Sequence, residues 1–319
     1  MVDYWLISIV LTLYNKAPYI EETLFSIYNQ SYKNRELIVV DDCSTDWSFE
    51  IAKSFCEKLG IMGKCKFIQN EKNLRVAKSF ESWLKRAEWK RISMCDWDDI
   101  LVKNHLEEKI KFCKKYNYEF CCWWCIDVDE HNNFIGFWNE WLFWKIHKIY
   151  LKNRTYKETL ILPNAIWSAI FFNKSIKDIL LKYGFPHNIP QDFWVEVCTS
   201  IFNINIWYID VYLFYHRRCD SSISMYKWGL LHSYEIYFKY RINVAKYLID
   251  NLNINIYMKK RIKERNLIND EFYKYIKSNN RISTKLFLNI IKRNIWFKHK
   301  LILLYQYFNT IVLKIKKEA

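Results

Sequence analysis

Over its first 130 residues the chain alternates short β-branched or apolar runs with longer stretches in which apolar side chains recur every three or four positions. A chain patterned this way forms βα units, and successive units assemble a mainly parallel sheet flanked by helices. The pattern predicts strands at residues 7–13, 36–41, 66–68, 91–95 and 120–128. A first helix is expected to include Pro18 in its opening turn and to carry Ile20, Leu24 and Ile27 on one face. A second should follow the capping candidates Ser44, Thr45 and Asp46, a third should cover 76–87, and a fourth 104–116. From 138 to 220 the pattern is mixed, with helices expected near 174–181 and 193–202 and a strand at 206–215. Beyond Tyr226 the sequence reads as helix almost throughout, without the internal repeats of a solenoid. The expected organisation is an α/β domain over 1–225 and a basic helical region over 226–319.

In an open parallel sheet, ligands bind beyond the carboxyl ends of the strands. Three polar clusters fall at such ends: TLYNK at 12–16, DDCSTD at 41–46 and CDWDD at 95–99. The glycines stand at 60, 63, 136, 184 and 229, so neither a dinucleotide fingerprint after the first strand nor a Walker loop exists. A phosphate bound here must be held by a metal ion and basic side chains.

Two readings fit the acids of SMCDWDDI, residues 93–100. Closely spaced carboxylates at a strand end coordinate hard cations such as Mg²⁺ or Mn²⁺, which also accept phosphate oxygens. The plainer reading is a solvated acidic turn leading into the next helix, with Asp98 or Asp99 near its N-terminus.

The formal charge of +15 favours an anionic partner, whether nucleic acid, lipid headgroups or phosphorylated substrate. The opening residues MVDYWLISIV lack the basic region, apolar core and cleavage site of a secretory leader, which gives a cytoplasmic expectation. In that compartment the ten cysteines stay reduced. The Cys-x-x-Cys formed by Cys122 and Cys125 has no second ligand pair at zinc spacing and reads as buried thiols in a strand. No apolar run reaches the roughly 18–20 residues of a transmembrane helix. The tail RNIWFKHKLILLYQYFNTIVLKIKK suits either an anionic bilayer interface or packing of its apolar side on the main domain.

In order, a strand leading into TLYN, a helix ending in NQSY, the loop VDDCSTD and the motif DWDD occupy about the first 115 residues. Together they closely resemble the nucleotide-binding half of family 2 glycosyltransferases, which have the GT-A fold. Residues 1–115 would then form the nucleotide-sugar half, and 116–225 the acceptor and catalytic-base half. The later segment IPQDFWVEVCTSIFNINIWYIDVYLFYHRR resembles the family's catalytic-acid segment, with Gln191 in place of the usual Glu or His and Asp192 retained.

The resemblance implies an inverting, in-line transfer from a nucleotide-diphosphate sugar to a glycan or lipid-linked glycan hydroxyl, assisted by Mn²⁺ or Mg²⁺. It makes Asp192 the candidate base; the plainer role for that residue is a helix N-cap. Asp98 becomes the first-choice metal ligand, Asp96 a metal or ribose contact, and Asp99 a metal or orienting group. Thr12, Tyr14 and Asp42 are expected on the nucleoside, and Arg75 and Lys78 on the diphosphate. Arg75 stands where the family often has Gly. Relatives often place a metal-completing His after Tyr-Arg, and here His216 follows Tyr215, with Arg218 or Cys219 at the usual slot. Either His216 substitutes for it, or arginine serves the diphosphate instead.

A non-catalytic nucleotide-binding relative would not need both Asp98 and Asp192. A basic nucleic-acid-binding protein would cluster its aromatics with cations on one face, whereas here the aromatics run along the whole chain and no nucleic-acid motif occurs. An Asp-x-Asp phosphatase would carry its pair on the first strand rather than the fourth.

Overall fold

A computed structural model describes residues 5–86, 91–137, 167–186, 189–201, 204, 206–218, 229–251 and isolated positions between 256 and 270. The chain divides into two compact units, Met1–Ser222 and Ile223–Ala319. Among the described residues, the first unit is built on a nine-stranded sheet.

Strands β1 (Ile7–Leu13), β2 (Arg35–Asp41), β3 (Cys65–Gln69) and β4 (Arg91–Asp96) pair in parallel in the order β3-β2-β1-β4. All seven residues of β1 are buried, which explains its unbroken apolar run: a central parallel strand is covered on both faces. The helices of this half are α1 (Ile20–Tyr28), α2 (Ser48–Lys58), α3 (Arg75–Arg86) and α4 (His105–Tyr116). Pro18 precedes α1 instead of entering its first turn, because the boundary residue is Tyr19. Ahead of α2, Asp46 accepts the Ser48 N–H at 3.1 Å while the cap position falls on Trp47, which is left-handed at φ 67°.

The sheet continues with β6 (Phe120–Val128), β8 (Phe171–Asn173) and β9 (Ile206–Arg217). β8 runs antiparallel to both β4 and β6, β9 runs parallel to β6, and the short β5 (Ile100–Leu101) lies antiparallel to β9. β7 (Phe134–Phe137) pairs with β6 as a hairpin. Strands β5, β7 and β8 were not expected from the sequence; each has four residues or fewer and leaves no periodicity to read. Helices α5 (Lys174–Tyr183) and α6 (Gln191–Ile201) follow the expected order. The second unit contains α7 (Gly229–Asn251); the expected tail interface and residues 138–166 lie outside the described residues.

Cys121, Cys122 and Cys125 are buried within β6. None of the described helices is long and apolar enough to cross a membrane.

Candidate active site

The acidic motif closes the end of β4. A turn links the Asp99 N–H to the Asp96 carbonyl at 3.4 Å, and β5 then ties the chain to Phe214 and Tyr215 of β9. Gln30, fully buried, holds the far side of this arrangement. Its amide donates to the carbonyls of Ser26 at 3.1 Å and Val102 at 2.8 Å, and its Oε1 accepts the Leu106 N–H at 3.1 Å. The NQSY signature thus joins α1 to the segment that follows the acids.

Thr12 and Asp96 are register partners across β1 and β4, and the Thr12 hydroxyl donates to Asp96 Oδ1 at 3.4 Å. Ser168 bridges the turn internally: its Oγ accepts the Asp96 N–H at 2.8 Å and donates to Asp99 Oδ2. Asp99 Oδ1 also accepts the Arg217 N–H at 3.3 Å. Burial, followed by the charges of Asp99, Asp98 and Asp192, pushes the Asp96 carboxyl well above the usual range. Burial raises Asp99 to about 6 despite the opposing charge of His216. Asp96 keeps partial solvent access, whereas Asp98 is buried.

Repulsion among these carboxylates is a positive indication for a cation. Hard oxygen donors crowded at one strand end fit Mg²⁺ or Mn²⁺, which would offset the charge repulsion that raises the Asp96 carboxyl. Trp97 is half-buried between them, with its carbonyl accepting from Thr23 Oγ1 at 2.8 Å and its indole N–H unpartnered among the described residues.

Asp192 stands in the first turn of α6, one position inside the helix rather than at its cap, and its Oδ1 accepts the Phe193 N–H at 2.7 Å. Burial pushes its carboxyl up to about 6, against the lowering influence of that hydrogen bond and of His216. Since Asp192 also raises Asp96, the structure brings α6 to the same acidic centre as the end of β4.

The nucleoside candidates occupy the neighbouring strand ends. Asp42 is buried, with Oδ1 accepting from Asn70 Nδ2 and from the Leu74 N–H, both at 2.9 Å. Tyr14 is 38% exposed in the loop after β1. The loop of Asp41–Asp46 is stitched to that loop: Ser44 Oγ accepts the Asn15 N–H at 3.0 Å and Asp46 Oδ2 the Ala17 N–H at 2.9 Å. Two acids of the DDCSTD cluster, Asp41 and Asp46, therefore serve backbone and side-chain donors within the loops.

Arg75 is exposed and holds a left-handed φ of 64° at the position where the resemblance leads one to expect Gly. The conformation that glycine favours has been kept without the glycine, at a cost of about 1 kcal/mol. Arg75→Gly should raise thermal stability slightly, by no more than about 1 kcal/mol, while removing an exposed cation; calorimetric unfolding of the two proteins checks this. Lys78 is tied to Glu81 at 2.6 Å within α3, so reaching a diphosphate would require it to exchange that partner. The i,i+3 spacing of this pair was visible in the sequence.

The late arginines are engaged with protein groups. Arg218 forks onto Asp127 with two bonds of 3.1 Å, and His216 Nδ1 meets the same carboxylate at 3.0 Å. Burial works against the charge of Asp127, but His216 and Arg218 outweigh it and hold the carboxyl below its ordinary range. Ligand atoms of Cys125, Asp127 and His216 lie within 4.8 Å of one another, although the Arg218 fork already neutralises Asp127. Arg217 is buried and was not singled out by sequence. Its Nε donates to the Asp98 carbonyl at 3.0 Å and its Nη1 to the Glu130 carbonyl at 3.3 Å. Its Nη2 meets Glu22 of α1 at 2.5 Å, and its guanidinium lies 4.9 Å from the Tyr19 ring centre.

A parallel βα half with carboxylates at its strand ends, joined to a mixed half that brings Asp192 of α6 near them, is the GT-A architecture. The chain belongs to glycosyltransferase family 2: the family profile named Glycosyl transferase family 2 matches residues 8–180. Among curated relatives, EpsE of Bacillus subtilis (strain 168), named as a glycosyltransferase, is 36% identical over 112 residues. TuaG of the same organism, named for teichuronic acid biosynthesis, is 31% identical over 115. These alignments cover 35% and 36% of this chain and 40% and 44% of the relatives, so the chain spans less than half the length of either.

Two solved structures share the fold. S. aureus TarS 1–349 in complex with UDP-GlcNAc superposes with a TM-score of 0.60 at 20% identity, covering 88% of this chain and 76% of that fragment. The mannosyltransferase PcManGT from Pyrobaculum calidifontis, in complex with GDP-Man and Mn²⁺, gives 0.62 at 14% identity, covering 96% and 80%.

Proposed function

We propose that the chain is a metal-assisted, inverting glycosyltransferase that moves a sugar from a nucleoside-diphosphate donor to a hydroxyl of a glycan or lipid-linked glycan. The observation that carries this reading is the convergence of Asp192 with Asp96, Asp98 and Asp99 in a fold shared with proteins solved bound to UDP-GlcNAc and GDP-Man.

Asp98, with Asp96, would hold Mn²⁺ or Mg²⁺, whose chemistry is to neutralise charge gathering on the departing diphosphate. Asp42 accepts a hydrogen bond from the nucleobase, Tyr14 borders the base, and Thr12 fixes the orientation of Asp96. Arg75 lies at the edge where diphosphate oxygens arrive. Asp99, held by Ser168 and by the Arg217 N–H, orients the turn instead of meeting substrate. Asp192 takes the proton of the acceptor hydroxyl as that oxygen bonds to the anomeric carbon and the bond to the diphosphate breaks. A carboxyl titrating near 6 is ionised at neutral pH and more basic than an ordinary aspartate, as that step requires. His216 completes the electrostatic setting through Asp127 and Asp192.

Calorimetric titration of UDP- and GDP-sugars tests the donor site. Mn²⁺ should tighten donor binding about tenfold or more in the unaltered chain and have no effect on Asp98→Asn. Equal binding with and without metal would remove the cation from the account.

The cytoplasmic side of a membrane is the proposed location, supported by the alternation of Trp, Phe and Leu with Lys and Arg in the tail. Flotation with anionic liposomes should carry the full chain and leave behind a chain truncated after residue 280; equal behaviour would rule out the tail's part.

A further inference from the structure

Lys16 introduces a cation into the acidic centre. Its Nζ lies 3.8 Å from Asp98 Oδ2, with the two side chains only 6% and 10% exposed, and 5.6 Å from the centre of the Trp97 ring. The backbone of Lys16 is fixed: its N–H donates to Ser48 Oγ at 2.9 Å, and its carbonyl accepts from Tyr19 and Ile20 at 3.0 and 3.3 Å. Movement at this residue therefore belongs to the four-carbon stem, which carries a compact charge with rotatable donors.

We propose that Lys16 is a resident counter-cation that occupies the divalent ion's place against Asp98 and is displaced by that ion onto the donor's diphosphate. The proposal rests on the reading that Asp98 meets a metal. Two cations in a poorly solvated site repel each other, so Lys16 and the ion compete for one carboxylate. In the absence of donor, the ammonium is the cation that faces the buried Asp98 carboxylate. When metal and diphosphate arrive together, Asp98 passes to the metal and Lys16 gains phosphate oxygens within reach of its flexible stem. Metal alone then binds weakly, and metal with diphosphate binds well. A merely structural ion pair would behave differently, because removing Lys16 would loosen the turn and weaken metal uptake.

The test titrates Mn²⁺ into the full-length chain without nucleotide and follows the electron paramagnetic resonance signal of free Mn²⁺. Lys16→Met should bind Mn²⁺ about tenfold more tightly than the unaltered chain. Lys16→Arg should remain close to the unaltered value, and Asp98→Asn should lose the site. A second readout needs no variant and decides the matter if Lys16→Met does not fold. Acylation of Lys16 in the unaltered protein, followed by mass spectrometry, should rise several-fold when Mn²⁺ is added.

Unchanged or weaker Mn²⁺ binding in folded Lys16→Met, or labelling indifferent to Mn²⁺, would overturn the proposal and leave the metal reading intact. If the unaltered chain takes up no Mn²⁺ even with a nucleoside diphosphate present, the metal reading and this proposal fall together.

Discussion

Arg217→Met is expected to lower the stability of the first unit by about 1–3 kcal/mol, because it leaves the buried carbonyl of Asp98 without its donor and removes a weaker, part-buried bond to the carbonyl of exposed Glu130. The ion pair with Glu22 adds less, since that carboxylate is 42% exposed and solvent screens the attraction. The functional consequence should exceed the thermodynamic one. Arg217 links the acidic turn to α1 through Glu22 and Tyr19, so without it Asp98 loses the support that fixes its carbonyl. Arg217→Lys should recover little, because one ammonium cannot span the acceptors reached by a planar fork. Urea unfolding together with donor titration checks both parts. Stability and donor affinity within experimental error of the unaltered chain would show that the clamp is dispensable.

Asp192→Asn is expected to lower turnover by about 10²- to 10⁴-fold, the usual contribution of a positioned base. The same change should make the protein more stable at pH 7. The folded carboxyl titrates near 6, above its ordinary value near 4, so the native state binds this proton more tightly than the unfolded chain. Stability from this group is therefore highest below about pH 4 and declines as pH rises through 6. Asparagine removes the burden of the buried charge, a gain of about 1–2 kcal/mol at neutral pH once partial solvent access is discounted. In the unaltered chain kcat/KM should rise with pH through about 6 and then level, as the base loses its proton; the asparagine protein should lose that limb. A pH series of initial rates, with thermal melts at pH 4 and 7, measures both effects.

Much of the first half could be read from the sequence because burial on both faces leaves an unbroken apolar record. β1 is buried at all seven positions, and β6 coincides with the expected span 120–128. β8 could not be read in this way. Its three residues are defined by pairing with Arg91–Ser93 on one side and Phe120–Cys121 on the other, contacts far away in sequence.

The same division runs through the site. Asp96, Asp98 and Asp99 stood out by their spacing, and Asp192 by its segment. Gln30, Ser168 and Arg217 reach partners as far as 76, 72 and 195 positions away, a relation no local pattern records. Lys16 lies within TLYNK with no local mark of a role, since only the fold carries it to Asp98. The choice left open at the late segment also depended on three dimensions. His216 and Arg218 both meet Asp127, and Asp127 carries no distinguishing signal in the stretch CCWWCIDVDE.

The most direct measurement presents a panel of UDP-, GDP- and dTDP-sugars to the full chain with Mn²⁺ and scores nucleoside diphosphate release alongside donor binding, for the unaltered protein and for Asp192→Asn. The account predicts that at least one donor binds both proteins comparably and is turned over by the unaltered chain, with release at least about 100-fold slower from the variant. Binding of no nucleotide sugar by the unaltered chain, or release from Asp192→Asn within a few-fold of it, would contradict the account.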